Sequence, residues 1–134
     1  MTPEELKERT KSFGLQVIRM VRTLPRTREA DVLGRQLLRS ATAVGANYRA
    51  ACRARSRSEF VSKISVVEEE ADEAAYWLEM FEKTGVGNNG DVARLLREAR
   101  ELTAIFTASG RTAKRNPLGL GPRANSKSTI RNSK

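Results

Sequence analysis

The chain contains no histidine and a single cysteine, Cys52. Imidazole is the side chain that ordinarily moves protons near neutral pH, and a lone thiol without an imidazole neighbour lacks the base that would activate it as a nucleophile. The densest acidic run, Glu68, Glu69, Glu70, Asp72 and Glu73, invites a metal-site reading. Carboxylate di-metal centres in helical bundles, however, also take Glu-x-x-His pairs from two helices, which this composition excludes. No Walker-type phosphate loop is present, so the expectation is a protein with no catalytic residues, no metal and no cofactor. Cys52, beside Ala51 in a run of small residues, reads as a packing residue.

The remaining chemistry belongs to arginine. The 134 residues carry a net charge of +9, and its distribution is segregated. Residues 7–57 hold 13 Lys/Arg against 3 Asp/Glu, residues 58–84 hold 2 against 8, and residues 111–134 add 7 basic residues with no acid. Arg35, Arg39, Arg49 and Arg53 are each offset by two from Leu33, Leu37, Asn47 and Ala51, which places them about 200° away on a helix, on its opposite side. Lys11, Arg19, Arg22 and Arg26 repeat the arrangement on the preceding element. Arg55 and Arg57 flank Ser56 at a helix start, where backbone N–H groups and the macrodipole already favour anions. Guanidinium suits bidentate recognition of phosphate or carboxylate. These nine arginines (19, 22, 26, 35, 39, 49, 53, 55 and 57) are candidate nucleic-acid contacts, and the competing reading pairs them with the acidic run inside the fold. Tyr48, beside the stripe, is a candidate for stacking on a base. Glu69, Glu70 and Glu73, with Trp77 and Met80 flanking the inward seam of their helix, are candidates for a subunit contact.

The elements that position these groups are helical. Thr2, Pro3, Glu4 and Glu5 form a helix start, followed by Leu6, Phe13, Val17, Met20 and Leu24 until Pro25. Thr27 caps a second helix with an inward stripe of Leu33, Leu37, Ser40, Val44, Asn47 and Ala51. There Asn47 reads as a buried polar group fixing helix register. Ser56 and Glu59 have capping-box spacing, so a third helix begins at Arg57. Its stripe of Phe60, Ile64, Val67, Ala71, Ala74, Leu78 and Phe81 alternates four and three, the period of a bundle seam. Gly85 ends it, and a fourth helix carries Val92, Leu95, Ala99, Leu102, Phe106 and Ser109, fading between Gly110 and Asn116. The pattern predicts an all-α, antiparallel up-down-up-down four-helix bundle over residues 1–115, with a disordered basic tail over 116–134.

Three stretches carry a family resemblance: "QLLRSATAVGAN", the junction "NYRAACRARSRSEF", and "VEEEADEAAYWLE", extended by "ELTAIFTAS". Over roughly residues 13–113 the chain resembles the intervening-sequence proteins, bundle proteins encoded within intervening sequences of bacterial 23S ribosomal RNA genes. The resemblance implies an antiparallel four-helix bundle assembled as a ring, commonly a homopentamer. It further implies kinship with the accessory bundle protein of diversity-generating retroelements, which binds nucleic acid and a reverse transcriptase. One departure is Ala50, where the family usually has glutamate in "REAC"; if that glutamate pairs with an arginine across helices or subunits, its loss leaves Arg49 or Arg53 freer.

The expected function is that of a non-enzymatic homo-oligomer holding RNA or DNA non-specifically through its basic helix faces. The alternative is an interaction scaffold or adaptor for an acidic partner such as a polymerase. The apolar runs are far shorter than the roughly 20 residues of a membrane span and the N-terminus lacks a signal-peptide core, so a cytoplasmic protein without a membrane partner is expected.

Overall fold

The computed structural model describes residues 1–115; the tail expected at 116–134 lies outside the described residues. Four helices follow one another, α1 (Pro3–Arg22), α2 (Arg28–Ala51), α3 (Arg57–Thr84) and α4 (Asn89–Arg115), with no strand among the described residues. Their ends are set by local chemistry. Thr2 and Glu5 close a full capping box, Glu5 N–H donating to Thr2 Oγ1 at 3.0 Å and Thr2 N–H to Glu5 Oε1 at 2.8 Å. Thr27 caps α2 by accepting from the Ala30 N–H. At α3, Ser56 Oγ accepts from the Glu59 N–H, but the Glu59 carboxylate reaches past the cap to accept from the Arg55 N–H at 2.9 Å. Gly85, at φ 75°, supplies the left-handed residue that ends α3. Asn88 Oδ1 accepts from the Asp91 N–H and starts α4.

Each helix packs on its neighbours in sequence, α1 also touches α4 along a thinner seam, and the diagonal pairs make no close approach. That cyclic order, with short connections, is the up-down-up-down bundle. All seven seam residues predicted for α3 are buried, and they meet Phe13, Val17, Leu37, Val44, Leu95, Leu102 and Phe106 in one continuous core. Burying a side chain of this size contributes roughly 1.5–3 kcal/mol each. No helix among the described residues is long and apolar enough to cross a membrane.

Two helices depart from the sequence expectation. In α2 the buried face is Ala30, Gly34, Leu37, Ala41, Val44, Tyr48 and Ala51, with Ser40 at its margin, while Leu33 and Asn47 are only half-buried. Leu33 still packs against the core from its edge, whereas Asn47 falls at the edge of the buried arc and Tyr48, one residue on, falls within it. Asn47 satisfies itself locally, its Nδ2 donating to the Ala43 carbonyl. In α4 the helix continues through Gly110 to Arg115, because Ala113 is buried and the Arg57 guanidinium donates to the Ala113 and Lys114 carbonyls at 3.2 and 3.4 Å.

Candidate nucleic-acid interface

Helices α1 and α2 lie close because glycines stand where they cross. A Cβ built on Gly45 would sit 3.4 Å from the Lys11 nitrogen and the Thr10 carbonyl, and one on Gly14 3.7 Å from the Ala41 oxygen. The outer side of this crossing is a groove of about 480 Å³ with an apolar floor of Leu15, Ile18, Thr42 and Ala46. Glu4, Lys7, Glu8, Lys11, Arg49 and Arg53 line its rim. Lys7 is paired with Glu4 at 3.0 Å, whereas Lys11, Arg49 and Arg53 make no ion pair among the described residues. Towards the α1–α2 turn, Arg19, Arg22 and Arg26 are also exposed and carry no carboxylate partner among the described residues. This side of the bundle can hold anions in water without first giving up an internal contact.

The side of α2 facing α3 is different. Arg39 donates to Glu73 Oε2 at 2.6 Å and to Glu70 Oε2 at 3.3 Å, and Trp77 Nε1 donates to the same Glu73 oxygen at 3.1 Å. The hydrogen bond from Arg39, then that from Trp77, holds the Glu73 carboxyl below the usual carboxylate range, and the two carboxylates raise the affinity of Arg39 for its proton. The other predicted arginines serve local structure. Arg35 pairs with Asp31 one turn earlier in α2, Arg55 approaches Glu59, and Arg57 caps α4. Of the nine candidates, the fold therefore gathers Arg49 and Arg53 at the groove and Arg19, Arg22 and Arg26 near the turn, and gives the remaining four protein partners.

Among the residues expected at a subunit contact, Glu70, Glu73 and Trp77 face α2 within the chain, while Glu69 is exposed and Met80 half-exposed on the outer side of α3. Tyr48, considered for base stacking, is instead 1 % exposed and packs against Phe106 with ring centroids 5.3 Å apart. Burial, with the neighbouring Cys52, pushes its phenol far above the ordinary tyrosine value. A ring in the core has no face left for a nucleotide. The sequence reading missed Arg9, which ties α1 to α4 through Glu98 at 2.7 Å and Glu101 at 2.6 Å. It also missed the floor of the groove; Gly14 and Gly45 were its only local signal.

A family model described as 23S rRNA-intervening sequence protein matches residues 4–108. Among solved structures, the chain resembles a Bacteroides thetaiotaomicron protein of unknown function from the S23 ribosomal protein family, with 27% identity and a TM-score of 0.72. That alignment covers 78% of this chain and 97% of the other. No curated protein matches.

Proposed function

The chain belongs to the 23S rRNA-intervening sequence protein family, and we propose that within it this protein is a non-enzymatic, cytoplasmic homo-oligomer that holds RNA or DNA by the phosphate backbone without reading sequence. The observation that carries this reading is the exposure of Lys11, Arg19, Arg22, Arg26, Arg49 and Arg53 on one side of the bundle, with no ion pair to any of them among the described residues. Cations that already hold a carboxylate must exchange it for a phosphate at little net gain, whereas these exchange only water and counterions. A flat spread of charge along helices, with no aromatic platform beside it among the described residues, positions phosphates and contacts no base edges.

The test is fluorescence anisotropy with unrelated RNA and DNA oligonucleotides over a range of salt. The logarithm of affinity should fall linearly with the logarithm of salt concentration, and the double change R49E/R53E should weaken every oligonucleotide alike. Affinity indifferent to salt, or confined to one sequence, overturns the proposal. Binding of polyglutamate in place of oligonucleotides would establish the adaptor reading instead.

A further inference from the structure

The floor of the α1–α2 groove is more apolar than contact with phosphates alone requires. Leu15 is 44% exposed and Ile18 half-exposed, and neither joins the continuous core. Thr42 and Ala46, both exposed, face them from α2 across the crossing at Gly14 and Gly45. The floor continues towards the α1–α2 turn. There a second cavity of about 560 Å³ lies between the same two helices over Val21, Leu24 and Leu38, lined also by Arg26, Arg28 and Arg35. On α2 the two cavities share one wall, because Arg35, Leu38, Thr42, Ala46, Arg49 and Arg53 step by three or four and stand on one face. Lys11 and Arg22 stand on the Leu15 face of α1 by the same spacing. Among the carboxylates beside this track, Glu4 is held by Lys7 and Asp31 by Arg35, while Glu8 stands exposed one turn before Lys11. The cations remain in excess.

We propose that this groove is a track for single-stranded nucleic acid, with bases laid on the floor of Leu15, Ile18, Thr42 and Ala46 and phosphates held by Lys11, Arg49 and Arg53 on the walls. The inference rests on the polyanion reading above and names the form of nucleic acid that the site takes. A duplex keeps the faces of its bases stacked inside and presents phosphates and base edges, so it has nothing to bury on an aliphatic floor. An unpaired strand carries both parts the groove matches, a charged backbone and flat apolar base faces. Two helices packed about 8–10 Å apart leave a valley in which one strand can lie, whereas a duplex rests across both walls and leaves the floor wet. Aliphatic groups grip a base face without bonding its edge, so the preference for a strand brings no preference for sequence. From Arg35 to Arg53 the α2 wall runs roughly 27 Å, the length of about eight phosphates at the stacked spacing of one strand.

Fluorescence anisotropy on the full chain tests this with a mixed-sequence strand of about twelve nucleotides and the duplex it forms with its complement, at the same salt and the same phosphate concentration. Phosphate contact alone favours the duplex, whose denser charge releases about 0.9 counterion per contact against about 0.7 for a single strand. The track reverses that order, and the strand should bind several-fold tighter. Leu15→Gln keeps helix propensity at an exposed position, so circular dichroism should match the parent. It should weaken the strand several-fold and leave the duplex unchanged. Leu15→Trp, which adds an aromatic face to the floor, should tighten the strand several-fold, again without effect on the duplex. A duplex bound as tightly as the strand, or Leu15 variants that move strand and duplex alike, overturns the track while leaving the phosphate reading standing. A protein that binds neither at low salt overturns both.

Discussion

The two flanks of α2 carry arginines of the same type and differ in what they meet. On the flank towards α3, Arg39 lies within reach of Glu70 and Glu73 and is held by both. On the flank towards α1, Arg49 and Arg53 overlook glycines, Thr42, Ala46 and a mixed rim, and make no ion pair among the described residues. The helix alone does not decide whether an arginine is structural or available; the sequence of the neighbouring helix does. The acidic third helix neutralises the α2 and α4 sides next to it, through Arg39 and through Arg100, which meets Glu79 at 2.6 Å. It cannot reach α1 across the diagonal, so the positive charge of the first half survives on the α1–α2 side.

The largest test of this contrast removes the groove itself. In Gly45→Leu the side chain must enter space bounded by the Thr10 and Lys11 backbone, and overpacking of this kind costs about 1–3 kcal/mol. Chemical denaturation should show that loss, and oligonucleotide binding should weaken with it as α1 and α2 are forced apart. In Gly45→Ala the tight Cβ opposes a gain in helix propensity of about 1 kcal/mol, so its stability should stay near the parent's. A fully stable Gly45→Leu protein would show that the close crossing does not shape this face.

Next in size is the contrast between arginines of one helix. R49E/R53E should lower oligonucleotide affinity by about tenfold at moderate salt and reduce the salt slope by about two, because two phosphate contacts are lost. Arg39→Ala should leave both nearly unchanged, since that guanidinium is already committed to α3. If Arg39→Ala weakens binding as much as the double change does, pairing with carboxylates does not sort these arginines and the contrast between the flanks is lost.

What was legible in the sequence follows the range over which the physics acts. Capping hydroxyls, Pro3 and Gly85 act within one turn, and the α3 stripe repeats so regularly that its burial was readable residue by residue. In α2 the same four-three count misplaced Asn47 and hid Tyr48, because small residues on several faces leave a stripe poorly defined. The arginine stripe was readable as a stripe, but its division was not. Arg39 meets partners 31 and 34 residues away, and Arg9 meets them 89 and 92 away. No spacing rule connects residues so distant; only the cyclic order of the helices does.

The smallest expected effect is a pH dependence on one flank and none on the other. Arg39 and the Trp77 N–H depress the folded pKa of Glu73 below its unfolded value, so the ionised form is favoured by folding. The stability this gives is present in full above the ordinary glutamate range and is lost as the pH falls through the depressed folded value. Because the Arg39 and Glu73 side chains are 52% and 37% exposed, solvent screening limits the effect to about 0.2–1 kcal/mol. Urea midpoints should therefore separate the parent from Glu73→Gln at neutral pH, and the gap should close as the pH falls through the depressed folded value, where the parent's carboxylate is protonated too. Raising salt at neutral pH should narrow it in the same direction. Arg49→Ala should open no comparable gap at either pH, since no carboxylate among the described residues is bonded to that guanidinium. A gap for Glu73→Gln that persists unchanged into acid would mean that its cost is packing lost around Trp77, and the electrostatic distinction between the two flanks of α2 would not hold.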